Sequence, residues 1–96
     1  MNARTREELK VAAAELGWQR VVGTVRNTDI YRNAPHSVMV DFSRDGMMVI
    51  EARLFADAPD VRQTLPPRVL AAVTKNSVNK NRRIRSWFYD YQARSA

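Results

Sequence analysis

Residues 38–54 read Val-Met-Val-Asp-Phe-Ser-Arg-Asp-Gly-Met-Met-Val-Ile-Glu-Ala-Arg-Leu. Val38, Val40 and Phe42 alternate with Met39 and Asp41. After Ser43-Arg44-Asp45-Gly46 the alternation resumes, with Met48, Ile50, Ala52 and Leu54 set against Val49, Glu51 and Arg53. A period of two is that of a strand with one buried face, and Gly46 stands where such a turn needs a left-handed residue. The stretch therefore predicts an antiparallel hairpin whose core face carries the first set. Met39, Met47, Val49 and Phe55 then fall on the opposite face. If helices cover only one side of the sheet, these four form an exposed patch of the kind that marks a protein interface. A register slip of one residue exchanges the two faces and removes the patch.

Upstream, Thr5-Arg6-Glu7-Glu8 has the spacing of a capping box. Leu9, Ala12, Ala13 and Leu16 follow at i, i+3, i+4 and i+7, which predicts a helix over 5–16. Gly17 stands at the left-handed position past its end, and Trp18 is placed to fold back. The β-branched stretch from Gln19 to about Arg26 predicts a strand ending at Asn27-Thr28-Asp29 or running on to Tyr31. Asn33-Ala34-Pro35-His36 reads as a loop. Downstream, residues 57–67 contain three prolines and two acids and read as a connector. Pro66 and Pro67 suit the first turn of a helix, and Val69, Leu70, Val73, Ile84, Trp87, Phe88 and Tyr91 share one stripe at 100° per residue. The run Lys75-Asn76-Ser77-Val78-Asn79-Lys80-Asn81 interrupts that stripe with three asparagines. The C-terminal region is thus one helix over 67–92 or two helices flanking a break near 77–81, the asparagines favouring the break. The expected fold is α+β in the order α-β-β-β-α: one domain over 1–96 holding a three-stranded antiparallel sheet, an N-terminal helix and a C-terminal helical region. That element order resembles the double-stranded RNA-binding domains, whose second helix opens on lysines. Here the opening is Pro66-Pro67-Arg68-Val69, so no site residue transfers.

The charge is uneven. Residues 75–96 hold Lys75, Lys80, Arg82, Arg83, Arg85 and Arg94 against Asp90, a balance of +5. Residues 1–74 hold ten bases and nine acids, and the chain totals +6. Half of the aromatics lie in the same C-terminal stretch, at Trp87, Phe88, Tyr89 and Tyr91. Phosphates attract cations and bases stack on rings, so this pattern fits a polyanion-binding surface. Arg82, Arg85 and Tyr89 are expected on the outward face opposite Ile84, Trp87 and Phe88, with Asp90 and Arg94 paired at i, i+4 on the flank. The candidate nucleic-acid contacts are Lys75, Lys80, Arg82, Arg83, Arg85 and Tyr89. A solvated cationic face near a helix C-terminus, where the dipole welcomes it, has the same composition.

Several classes find little support. There is no cysteine and one histidine, His36, so disulfides, thiolate metal sites and a Cys nucleophile drop out. Asp41 with Glu51-Ala52-Arg53 echoes the Asp…Glu-x-Lys pattern of metal-dependent nucleases, but arginine stays protonated and is no general base. The only glycines are Gly17, Gly23 and Gly46, which assemble no phosphate-cradling loop. No metal or cofactor is implied. No targeting run or membrane-length apolar run is present, so a cytoplasmic location is expected. Thirteen of the sixteen basic residues are Arg, a GC-rich coding bias that suits a bacterial or phage origin. The function expected is non-catalytic: low-specificity DNA or RNA binding through the C-terminal helix. The alternative is a small bacterial or phage accessory protein acting on a host protein or by homodimerisation.

Overall fold

The computed structural model describes residues 5–21, 26–33, 35–56 and 68–92. Helix α1 (Thr5–Glu15) forms over the predicted stretch and buries Leu9 and Ala13. Its end is a Schellman motif: the Trp18 amide donates to Ala13 O at 2.9 Å and the Gly17 amide to Ala14 O at 3.2 Å. Gly17 sits at φ +86°, a conformation that costs a side-chain-bearing residue about 1–2 kcal/mol. Gly17→Ala is accordingly expected to lower the denaturation midpoint with an unchanged slope, a loss of about 1–2 kcal/mol. The Trp18 side chain, expected to fold back onto the last turn of α1, is buried against Phe88 instead. Its indole N–H donates to Phe88 O at 3.0 Å, and its ring lies 5.3 Å from that of Phe88.

Five strands follow: β1 (Gln19–Val21), β2 (Thr28–Asn33), β3 (His36–Phe42), β4 (Val49–Ala56) and β5 (Arg68–Val73). They form one antiparallel meander in the order β1-β2-β3-β4-β5, and helix α2 (Lys80–Asp90) closes the chain. The expected three-stranded sheet is therefore corrected to five strands, in the order α-β-β-β-β-β-α, and with it goes the resemblance in element order to double-stranded RNA-binding domains. Two misreadings account for the difference. The stretch predicted as one strand from Gln19 onward contributes two, β1 and β2, which pair antiparallel with Val21 opposite Ile30. Residues 68–73, predicted as helix, are a strand on the edge of β4. Leu54 pairs with Ala71 and Phe55 with Val69, so Leu70 is an extra residue at a bulge, and skipping it disguises the period of two. The helical stripe is thus broken before α2; Asn76 and Asn79 lie in that break, while Asn81 is already inside α2. The proposed helix start at Pro66-Pro67 and the Asp90–Arg94 pair lie outside the described residues.

The hairpin of β3 and β4 is as expected up to its own bulge. Phe42 pairs with Val49 and Asp41 with Glu51, leaving Ile50 unpaired. The shift turns Val49 into the core at 5% exposure and leaves Met48 66% and Ile50 37% exposed, the reverse of the predicted phase for these three. The turn is tied by its own side chains. Asp45 accepts from Ser43 Oγ at 2.7 Å and the Met47 amide at 3.0 Å, and these bonds hold its carboxyl below the usual range. Gly46 takes φ +73°.

Both helices pack on one face of the sheet. Leu9, Trp18, Ile84, Trp87 and Phe88 meet Tyr31, Val38, Val40, Phe42, Leu54 and Val73 in one buried cluster. The helices run parallel: Asn81 Nδ2 donates to Thr5 Oγ1 at 3.3 Å at their starts, while Trp18 meets Phe88 at their ends. His36, expected in a loop, opens β3 and packs against Tyr91 in a tilted contact, ring centroids 4.5 Å apart. Ser37 is 3% exposed, on the other side of the sheet, and its Oγ has no hydrogen-bond partner among the described residues. A buried hydroxyl without a partner is a cost, so Ser37→Ala is expected to match the parent or gain up to about 1 kcal/mol by denaturant titration.

Candidate nucleic-acid interface

Helix α2 forms because Ile84, Trp87 and Phe88 recur on one face and are buried there, at 0%, 7% and 0% exposure. Its start is set by the turn before it. The Thr74 amide donates to Ser77 Oγ at 2.9 Å and the Ser77 amide to Thr74 O at 3.0 Å. Asn79 then takes the left-handed conformation at φ 54°, which asparagine tolerates better than most residues. The Arg83 amide donates to Asn79 O at 3.0 Å, opening the helical ladder. Asn79 makes no side-chain cap bond, and the first turn contains no acid.

This start places the predicted cations. Lys80 and Arg82 stand in the first turn of α2, Arg83 just after it, and Arg85 one turn on from Arg82. All three arginines are exposed, and Tyr89 is 63% exposed on the side of Arg82 and Arg85. Lys80, Arg82 and Arg85 line a groove of about 470 Å³ with Thr5, Ser77, Asn79, Asn81, Met47, Met48 and Val49. Arg83 is rotated about 100° from Arg82 and faces the other flank. Lys75 lies in the turn, its carbonyl accepting from Lys80 Nζ at 2.9 Å. Among the described residues the ion pairs are Arg6–Asp29, Arg20–Asp29 and Lys10–Glu7, so none of these C-terminal cations is neutralised there.

The electrostatics run against a bland explanation. A helix start carries about half a positive charge, and cations there are disfavoured by about 0.3–1 kcal/mol each. The favourable dipole that a C-terminal cationic face would enjoy does not apply, because Lys80 and Arg82 stand at the start of α2. The start of α1 lies beside it, bridged by Thr5 and Asn81, but its own first turn carries Glu7 and Glu8.

The four residues predicted as a protein interface do not come together. Val49 is in the core, and Met47, 38% exposed, lines the groove beside α2. Met39 and Phe55 do share the sheet face away from the helices, half-buried. Asp41 and Glu51 are direct cross-strand partners on that face, and Asp41 accepts from Thr28 Oγ1 at 2.6 Å. Among the described residues no three His, Cys, Asp or Glu side chains are grouped to hold a metal ion. Nor is any described helix long and apolar enough to cross a membrane.

Asp29 is the residue that sequence reasoning missed. It is 1% exposed in the core face of β2, where alternation with Tyr31 puts it. Arg6 grips it through Nε at 3.1 Å and Nη2 at 2.6 Å, Arg20 through Nε at 3.2 Å and Nη2 at 2.9 Å, and Tyr31 Oη donates at 3.2 Å. Burial alone would raise its carboxyl, but the two guanidinium groups outweigh that and hold it below the usual range. Burial, and then the Asp29 charge, push the Tyr31 phenol well upward. The only trace in the sequence is an acid in phase with apolar positions. Of the other groove residues, Asn79 and Ser77 were legible only as a break.

Protein-family models, curated proteins and solved structures give no match to this chain.

Proposed function

We propose that this protein binds nucleic acid through the phosphate backbone, with little sequence preference, on the face of α2 that starts at Lys80. The observation that carries this reading is the concentration of unneutralised cations at a helix start, with no acid in its first turn. Lys80, Arg82 and Arg85 contact successive phosphates along the groove, while Arg83 and Lys75 extend the surface on its flanks. Tyr89, at i+4 from Arg85 and largely exposed, offers a ring to an unstacked base or a hydroxyl to a phosphate. Contacts of this kind position a duplex without reading its bases.

Nitrogen-15 NMR of the full chain, titrated with a short mixed-sequence duplex, tests the location. Amide shifts are expected at Lys75, over residues 80–85 and at Tyr89, with Ile30, Met39 and Phe55 unmoved. Shifts centred on the sheet, or none, would contradict the assignment.

A further inference from the structure

Helices cover one face of the sheet, and among the described residues no element lies on the other. Ile30 pairs with Met39 and Phe55 with Val69 across it, and Val69 is 49% exposed. Among the described residues, the charged ones on this face are Asp41 and Glu51 towards one end of the strands, Arg53 in the middle row, and Arg32 at the other end. None of the four makes an ion pair among the described residues. Two acids and two arginines sum to zero, on a chain whose total is +6. A nucleic acid has no reason to choose this face, and a second copy of the chain meets no net repulsion there.

We infer that the open sheet face is a homodimer interface, two sheets packing face to face about a two-fold axis that crosses the strands near the Ile30–Met39–Arg53 row. Rotation about that axis reverses strand direction and keeps lateral order. The acidic end of one copy then lies over the Arg32 end of the other. Asp41 and Glu51 are opposed within one copy, a like-charge pair that is destabilising when left alone, and Arg32 of the second copy, one strand to the side, relieves it. Met39 and Ile30 of the two copies meet at the centre, as inner faces do in aligned sheet packing, and the two Arg53 side chains on the same row oppose each other there, a like-charge contact that weakens the pairing. Five strands at about 4.8 Å spacing and roughly 20 Å of strand give a footprint on the order of 500 Å² per copy. Both copies together reach about 1,000 Å², the lower end of specific interfaces, so the dimer is expected to be weak and concentration-dependent. It turns the two α2 surfaces outward in opposite directions and does not depend on what they bind.

Sedimentation equilibrium over a concentration series tests this. The parent chain is expected to approach twice the monomer mass as concentration rises. Met39→Glu is expected to stay at monomer mass with an unchanged circular dichroism spectrum. Arg32→Glu, at an exposed site where misfolding is not an issue, is expected to weaken the dimer at least tenfold, and adding Asp41→Arg to it to restore association. A parent chain that stays monomeric throughout overturns the inference. So does a dimer indifferent to both single substitutions, or a double variant no stronger than Arg32→Glu.

Discussion

Arg6→Ala is expected to lower the free energy of unfolding by about 3 kcal/mol, because it leaves a buried carboxylate short of its main partner. The Asp29 side chain has no exposure, and Arg6 supplies two of its four guanidinium bonds. The same arginine lies over the Phe42 ring at 5.2 Å, and its backbone amide donates to Gly46 O at 3.2 Å. The start of α1 is thereby tied to β2, β3 and the β3–β4 turn at once. Arg20→Ala removes a less buried partner that makes none of these further contacts, and is expected to cost less. The acid response separates this from simple loss of packing. A carboxyl depressed in the folded state contributes stability above its unfolded pKa, about 4, and that contribution fades as pH falls through the lower folded value. Without Arg6 burial regains weight and the folded pKa rises. The acid-unfolding midpoint of Arg6→Ala is therefore expected at a higher pH than that of the parent. Equal midpoints in acid and equal stability at neutral pH would show that the network does not hold α1.

The second large effect is on binding. Reversing Arg82 and Arg85 to Glu removes two phosphate contacts and puts two acids against the phosphates, and such like-charge juxtaposition costs several kcal/mol. Affinity for a random duplex is expected to fall at least about 100-fold. Both side chains are exposed, so the fold is expected to survive, and acids near a helix start are if anything favoured by its dipole. Arg83→Glu, on the other flank, is expected to have a smaller effect. Equal losses at all three positions would point to bulk charge rather than to the groove.

Legibility followed local physics. The first helix, its Gly17 end and the hairpin around Gly46 were readable because helical apolar spacing, left-handed glycine and alternation each leave a mark within a few residues. The fifth strand was not, because the bulge at Leu70 shifts its period of two. Val69, Leu70 and Val73 fit a helix stripe as well as a strand edge, and only pairing with β4 decides between them. A separate bulge at Ile50 moved Val49 from the expected surface into the core. The cationic residues were visible as a cluster in the sequence, but where they stand along α2 was hidden, since it depends on Asn79 opening the helix at Lys80. Asp29 was invisible because its partners lie 23 and 9 residues away, and a buried acid is recognised only by what surrounds it.

The central claim is that the start of α2 binds phosphates. Fluorescence anisotropy of the parent chain with a labelled random duplex, between about 50 and 200 mM salt, tests it most directly. Three groove cations predict a log–log slope of about −2.7, deepening to about −4.5 when Lys75 and Arg83 also engage. Absence of binding at the lower salt, or binding whose strength ignores salt, would contradict the claim.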